Sequence, residues 1–223
     1  MSPRSRRAVE VVALHGGPFA PRAKQKAQLC IESRLLHSSS VARAEEIVYG
    51  SERLRLRQLR SSDIAAVAAM VADPDQMRFY GKPKSRLEVE EWLAWNLSLY
   101  EEHGFGTWCV ESEPEGTFLG YCGIRPLRVD AQREVELAWH IKKEEWNRGV
   151  GTEAGRAAVR LGLGFFGLPC LVAMIHPENR ASVRVAEKLG MVSERRLIHY
   201  GEPTVLYRTS QPTLSMDGAQ DEE

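Results

Sequence analysis

Between Arg53 and Leu59 apolar and basic residues alternate, Leu54 and Leu56 against Arg53, Arg55 and Arg57. A period of two predicts a half-buried strand over 52–59. The period then lengthens. Ile64, Val67, Ala68 and Val71 fall at helical spacing behind Ser61-Ser62-Asp63, residues that cap helices, and Asp73-Pro74-Asp75 stops the run. Ser85 followed by Glu88 forms a capping box. It opens a second helix carrying Val89, Trp92, Leu93, Asn96 and Leu99, closed at Gly104, in which Trp92 and Trp95 read as core or lid packing. Strands follow over 105–111, 117–127 and 133–141, the first two joined by a Glu113-Pro114-Glu115-Gly116 turn. A helix over 151–166 closes at Gly167-Leu168-Pro169. The unbroken apolar run Cys170–Ile175 predicts a strand covered on both faces. A helix over 181–189, ended at Gly190, and strands over 191–199 and 204–208 complete the pattern. This order describes a mixed α/β sheet.

The pattern occupies only part of the chain. Of 223 residues, 1–44 carry eight Arg or Lys against Glu10 and Glu32, and 209–223 carry four acids and no base. Neither end shows an amphipathic period. The expected organisation is a basic, disordered extension over 1–46, one domain over 47–208 and an acidic tail over 209–223. The Arg- and Ser-rich start also suits an organellar transit peptide, against which Glu10 and the Gly16-Gly17-Pro18 break argue. An overextended start is the third reading, although the next Met is Met70, inside the domain.

Overall, 30 Lys and Arg balance 30 Asp and Glu, which gives no basic excess for nucleic acid. No apolar run approaches the ~20 residues that span a bilayer. Cys30, Cys109, Cys122 and Cys170 are scattered without a C-x-x-C pair. They read as small buried apolar residues of a reducing, cytoplasmic protein, not as a disulfide scaffold or metal site.

Candidate chemistry lies between Glu134 and Leu189. Trp146-Asn147-Arg148-Gly149-Val150-Gly151-Thr152 opens the helix after the third meander strand. Two glycines there leave backbone N–H groups uncovered at a helix N-terminus, where orphan donors and the dipole favour phosphate oxygens. A tight strand-to-helix turn would need the same glycines. Gly149 to Ala154 also fits G-x-G-x-x-A, the dinucleotide fingerprint, but seven residues separate it from the strand and the next strand is followed by His176, not an acid. The nicotinamide reading is therefore rejected. In His176-Pro177-Glu178-Asn179-Arg180-Ala181-Ser182, Ser182 shares a helical face with Val185, Ala186 and Leu189. Ser182 can instead bond back to its own helix, and Asn179 can be only a cap.

With these segments in this order the chain resembles the GNAT-superfamily N-acyltransferases, in the branch of the RimJ/RimL ribosomal-protein N-acetyltransferases. The resemblance covers about 52–208 through "ERLRLRQLRSSD", "DPDQMRFYG", "EVELAWHIKKEEWNRGVGTEA" and "HPENRASVRVAEKLGM". Trp146, where the superfamily usually has Arg or Gln, and His176, where Asn or Asp is frequent, depart from the pattern. The implied fold is a mixed, mostly antiparallel sheet with a central splayed parallel pair and about four helices.

The resemblance implies acetyl-CoA as donor, no metal, and a primary amine as acceptor, either a peptide N-terminus or a small molecule. The backbone at Ile141 would pair with pantetheine like an added strand, Asn147, Arg148, Gly149, Val150, Gly151 and Thr152 would wrap the pyrophosphate, and Asn179 would meet the pantetheine. Lys142, Lys143 and Arg148 could offset phosphate charge. Strand alternation puts Glu134, Glu136, Ala138 and His140 on one face. Glu136 is the candidate base, a role His140 could share, and Ser182 is the candidate donor to the departing thiolate. No nucleophile–His–acid arrangement is legible, so direct attack in a ternary complex is expected. The competing class is a non-catalytic acyl-CoA-binding module with a regulatory or assembly role. The acceptor, acyl-chain length and state, monomer or homodimer, stay open.

Overall fold

The alternation at Leu54 and Leu56 is the pattern of a strand between two partners, and both side chains are fully buried. The structure, a computed structural model, describes residues 47–210. The expected extension over 1–46 and most of the acidic tail lie outside the described residues. Eight strands form one sheet: β1 Ile47–Gly50, β2 Leu54–Gln58, β3 Thr107–Ser112, β4 Phe118–Val129, β5 Gln132–Ile141, β6 Cys170–Ile175, β7 Val192–His199 and β8 Glu202–Ser210. Their spatial order is β1-β2-β3-β4-β5-β6-β8-β7. All pairings are antiparallel except β5 with β6. The mixed sheet with a parallel pair is thus present. β1 carries no alternation strong enough to predict, and β8 extends to Ser210, beyond the expected 208.

Five α-helices lie on the sheet: α1 Ile64–Val71, α2 Pro74–Met77, α3 Arg86–His103, α4 Val150–Val159 and α5 Arg180–Lys188. Buried residues of α4 join Leu54, Leu56, Ile124, Leu137, Ile141 and Leu171 in the main core. Val67, Met70, Val89 and Leu93 of α1 and α3 form a second core with Leu59 and Cys109, against which Tyr121 packs. The two cores cover opposite sheet faces, so successive residues of β5 look into different environments. α3 begins with the Ser85–Glu88 capping box and ends at Gly104 in the left-handed conformation, φ 76°. α4 continues as a π-helical turn over Arg160–Phe165.

Asp73-Pro74 does end α1, but it also starts α2, with the Asp73 carboxylate accepting from the Asp75 N–H at 2.8 Å. Asp63 does not cap α1. Arg57 draws it inward: the guanidinium, 4 % exposed, holds both Asp63 oxygens at 2.8 Å and also bonds Glu111. Arg55 binds the other oxygen of Glu111 at 2.9 Å. This cluster joins β2, β3 and the start of α1. Breaking a buried pair strands a charge at a cost of about 3–5 kcal/mol, whereas exposed pairs contribute little. Arg57→Met should therefore destabilise the domain by about 3–5 kcal/mol in urea unfolding, and Arg86→Met, at an exposed helical pair, by less than about 1 kcal/mol.

Candidate active site

Each strand of the parallel pair is held on its far side by an antiparallel neighbour. β5 follows β4 through ten residue pairs and β6 follows β8 through six. Between themselves they register only at Glu136 and Val172. Beyond that point they part, and a groove of about 270 Å³ opens beside the N-termini of α4 and α5.

The direction of the β5 backbone in the groove follows from one bond. The Lys142 N–H donates to the Leu119 carbonyl at 2.9 Å, toward the β4 side. Alternation then turns the polar groups of Trp139 and Ile141 the other way, into the gap. The Ile141 carbonyl is already met there by the Trp146 indole N–H at 2.8 Å. This gives Trp146, unusual by the family pattern, a local function, and leaves the Trp139 groups and the Ile141 N–H as the open edge.

The loop before α4 is shaped for an anion. Asn147 and Gly149 adopt left-handed backbone angles, φ 62° and 84°. A Cβ on Gly149 would have nothing within 4 Å, so this face is open. No side chain caps α4, and the Glu153 N–H donates to the Gly149 carbonyl at 3.0 Å, closing the first turn. The N–H groups of Val150, Gly151 and Thr152 therefore have no acceptor within the helix. The loop is tied from behind: Arg53 donates to the Arg148 carbonyl at 3.2 Å, and Ser51 to Glu153 at 2.9 Å. Arg148 pairs with Glu145 at 2.9 Å, and Lys143 pairs with Asp73. Charge expected to face phosphate is thus spent within the protein for both side chains. Three cations that the sequence did not single out line the groove instead: Arg78, between α2 and α3, and Arg184 and Lys188 of α5.

Asn179 caps α5, its side-chain oxygen accepting from the Ser182 N–H at 3.1 Å, and it also lines the groove. Ser182 faces the groove as well, and against it lies the hydroxyl of Tyr80, within hydrogen-bonding reach. Tyr80 comes from the segment between α2 and α3. Its ring stacks on His140 at 4.8 Å, and its hydroxyl end also senses Glu136 and Arg125. Tyr121 bonds His140 Nδ1 at 3.1 Å and packs on Trp92 at 5.0 Å. Burial lowers His140 to about 4, so it is neutral at neutral pH and poorly suited to share a base's work.

Glu136 is 7 % exposed, on the face shared with His140. It is not a lone carboxylate on an apolar strand: Arg125 Nε, directly across on β4, donates to it at 2.7 Å. Glu134, two residues earlier, is gripped by Arg208 at 2.7 and 3.0 Å. Cys109 and Cys122 are core residues whose thiols burial pushes up to about 12.

A splayed strand pair with an open β edge, a glycine loop at a helix N-terminus and an acidic strand face accord with the comparisons. Residues 53–192 match the acetyltransferase (GNAT) domain. The chain belongs to the GNAT acetyltransferase family. A Bacillus subtilis protein, YkkB, is 32 % identical over 158 residues, covering 70 % of this chain and 92 % of that one. Among solved structures, ribosomal-protein-S5-alanine acetyltransferase from Vibrio fischeri matches with a TM-score of 0.60 at 19 % identity, over 73 % of this chain and 95 % of that one. Spermidine N-acetyltransferase from Vibrio cholerae, solved with CoA and spermine, matches with a TM-score of 0.60 at 18 % identity, over 72 % and 97 %. As a GNAT acetyltransferase the protein is an acyltransferase, and its fold is the one the motifs implied. No helix among the described residues is long and apolar enough to cross a membrane.

The buried His140 has a measurable consequence. Below pH 6.5 the unfolded chain binds a proton that the folded chain refuses until about pH 4, so stability falls as pH drops through that window and the loss from this group levels off below it. Between pH 6.5 and 4.5 this should remove about 2 kcal/mol of unfolding free energy. His140→Gln should flatten that limb in urea titrations. An unchanged slope would assign the acid sensitivity to other groups.

Proposed function

We propose that the protein transfers an acetyl group from acetyl-CoA to a primary amine by direct attack in a ternary complex. The observation that carries this reading is the gap between β5 and β6, where a free strand edge runs up to unfilled N–H donors at the start of α4. An acyl-pantetheine is extended and rich in amides, so the edge at Trp139 and Ile141 suits it, as an added strand would. Its pyrophosphate suits the N–H groups of Val150, Gly151 and Thr152 and the open face of Gly149. Asn147 and Arg148 shape that loop, and Asn179 borders the pantetheine path. The residues fit the group.

In the reaction the amine nitrogen bonds to the acyl carbon, the C–S bond breaks and its electrons leave on sulfur. The proton shed by the amine passes to Glu136, directly or through water. Arg125 holds one Glu136 oxygen, which fixes the carboxylate and leaves the other oxygen to meet the amine. Ser182 donates toward the developing thiolate. A serine hydroxyl is a weak donor alone. Tyr80, a phenol that stays protonated at neutral pH, is placed to donate to Ser182 Oγ and strengthen it.

Three outcomes test the assignment. A Cβ on Gly151 would meet Ile141, Val185 and Trp139 at 3.5–3.9 Å, ordinary contact distances. Gly151→Val should therefore keep the fold while its added methyls enter the groove, and calorimetry should show acetyl-CoA binding lost. Unaltered affinity would remove the loop from the site. Glu136→Gln should lower kcat by roughly 10²–10⁴-fold with little change in acetyl-CoA affinity. Near-normal turnover, with a pH profile of kcat/KM set by the acceptor amine alone, would exclude Glu136 as base. Ser182→Ala and Tyr80→Phe should each cost less than this. In a double-mutant cycle the second change should add nothing to the first, whereas additive losses would separate the two hydroxyls. Retained acetyl-CoA binding without thiol release over a broad amine panel would favour the non-catalytic binding module.

A further inference from the structure

The pairing of charges around the acceptor side of the groove bears on which amine enters it, given the acyl-transfer reading above. Two carboxylates line the groove: Glu145, in the loop before α4, lies 2.9 Å from Arg148, and the exposed Asp75 lies 3.9 Å from Lys143, which Asp73 already holds. Glu136, at the point where the strands part, lies 2.7 Å from Arg125. A polycationic acceptor would need several uncompensated carboxylates, and of these three only Asp75 comes near to being one.

Arg125 is compensated on one edge only. Its Nε bonds Glu136, while its two terminal nitrogens have no hydrogen-bond partner among the described residues, and the side chain is 30 % exposed. A guanidinium offers five N–H donors in a planar fork, so four remain available here. They sit beside Tyr80, whose hydroxyl reaches Ser182 in the groove. The Arg125–Glu136 pair thus presents a cationic fork next to a carboxylate oxygen. A small molecule that carries both a carboxylate and an amine offers the complementary pair of charges.

We propose that Arg125 is a specificity-determining residue that binds a carboxylate on the acceptor, and that the amine acetylated belongs to an amino acid or amino-acid-like small molecule. The carboxylate meets the two Nη groups of Arg125 as the amine meets the free oxygen of Glu136. Bidentate contact between guanidinium and carboxylate supplies both attraction and orientation.

Matched acceptors test this on the full chain: free amino acids, their primary amides and the corresponding decarboxylated amines, with polyamines alongside and acetyl transfer read by mass. The wild type should favour the free acid over its amide and its amine by about 10–100-fold in kcat/KM. Because Arg125 also holds Glu136, every rate will fall in Arg125→Gln, so the ratio between matched acceptors is the readout. That ratio should collapse to within about threefold of one, with Arg125→Lys keeping an intermediate preference. Calorimetric titration of the preferred amino acid into the CoA-bound enzyme, which needs no turnover, should lose its signal in Arg125→Gln. Equal or better transfer to amides or polyamines by the wild type overturns the proposal, and so does an unchanged ratio in a folded Arg125→Gln protein. Acetyl-CoA binding with no transfer to any amine overturns the acyltransferase reading itself, and this inference with it.

Discussion

The rest of the site depends on a contest between strand partners. β5 is committed to β4 and β6 to β8, each through a long antiparallel ladder, and the parallel contact between them cannot satisfy both geometries at once. It survives at one residue pair and then gives way. Where it fails, backbone donors and acceptors of β5 are left facing a gap inside the sheet, flanked by the main core. Such groups are costly without partners. The Trp146 indole supplies one partner, to the Ile141 carbonyl. The remainder make the gap receptive to an extended, amide-bearing chain, and the same divergence admits the N-termini of α4 and α5 to its end.

Sheet alternation then divides the labour. Leu137 and Ile141 point into the core under α4, and Glu136 and His140 point to the opposite face, among Arg125, Tyr121 and Tyr80. A donor bound along the β5 edge therefore passes its acyl group toward a face built from different elements than those that hold its phosphates. Asp73 of the segment before α2 pairs with Lys143 in the loop that leads to α4. That contact ties the segment bearing Tyr80 to the phosphate side, so that the two halves of the reaction are held in one frame.

Features that depend on short-range pattern were legible in the sequence. The capping box at Ser85, the left-handed stop at Gly104, the meander and the apolar run of β6 each arise from residues within a few positions of one another. The glycine loop was legible for the same reason, since an N-terminal turn with exposed N–H groups is encoded within seven residues. Pairings across strands were not. Glu136 was identifiable by its place on a strand face, yet its state depends on Arg125, eleven residues away and opposite only once β4 and β5 take their register. Asp63 read as a cap because its neighbours are cap-like; its carboxylate does accept the Arg60 N–H in the turn before α1, but the buried ion pair with Arg57 was not legible in the sequence. Tyr80 offered only an aromatic in a linker. Its approach to Ser182, about a hundred positions later, is a property of the assembled fold.

The two binding tasks also differ in how much freedom they leave the sequence. On the proposed reading, recognition of the donor rests mainly on backbone: the β5 edge, the left-handed turns at Asn147 and Gly149, and the first N–H groups of α4. Many sequences can supply those groups provided the strand parts and the glycines stay small. Recognition of the acceptor rests on side chains from β4, β5 and the segment before α3, where one substitution changes charge without disturbing a ladder. Related GNAT folds can therefore keep one donor site while their acceptor sites diverge, and the solved neighbours, named for a ribosomal-protein alanine in one case and spermidine in another, are consistent with that division. In this chain the β4–β5 face offers a compensated Glu136 and a half-used guanidinium at Arg125. Under the proposed reading, selectivity follows from that asymmetry: an anionic group on the acceptor finds Arg125, while a cationic one finds Glu136 already paired.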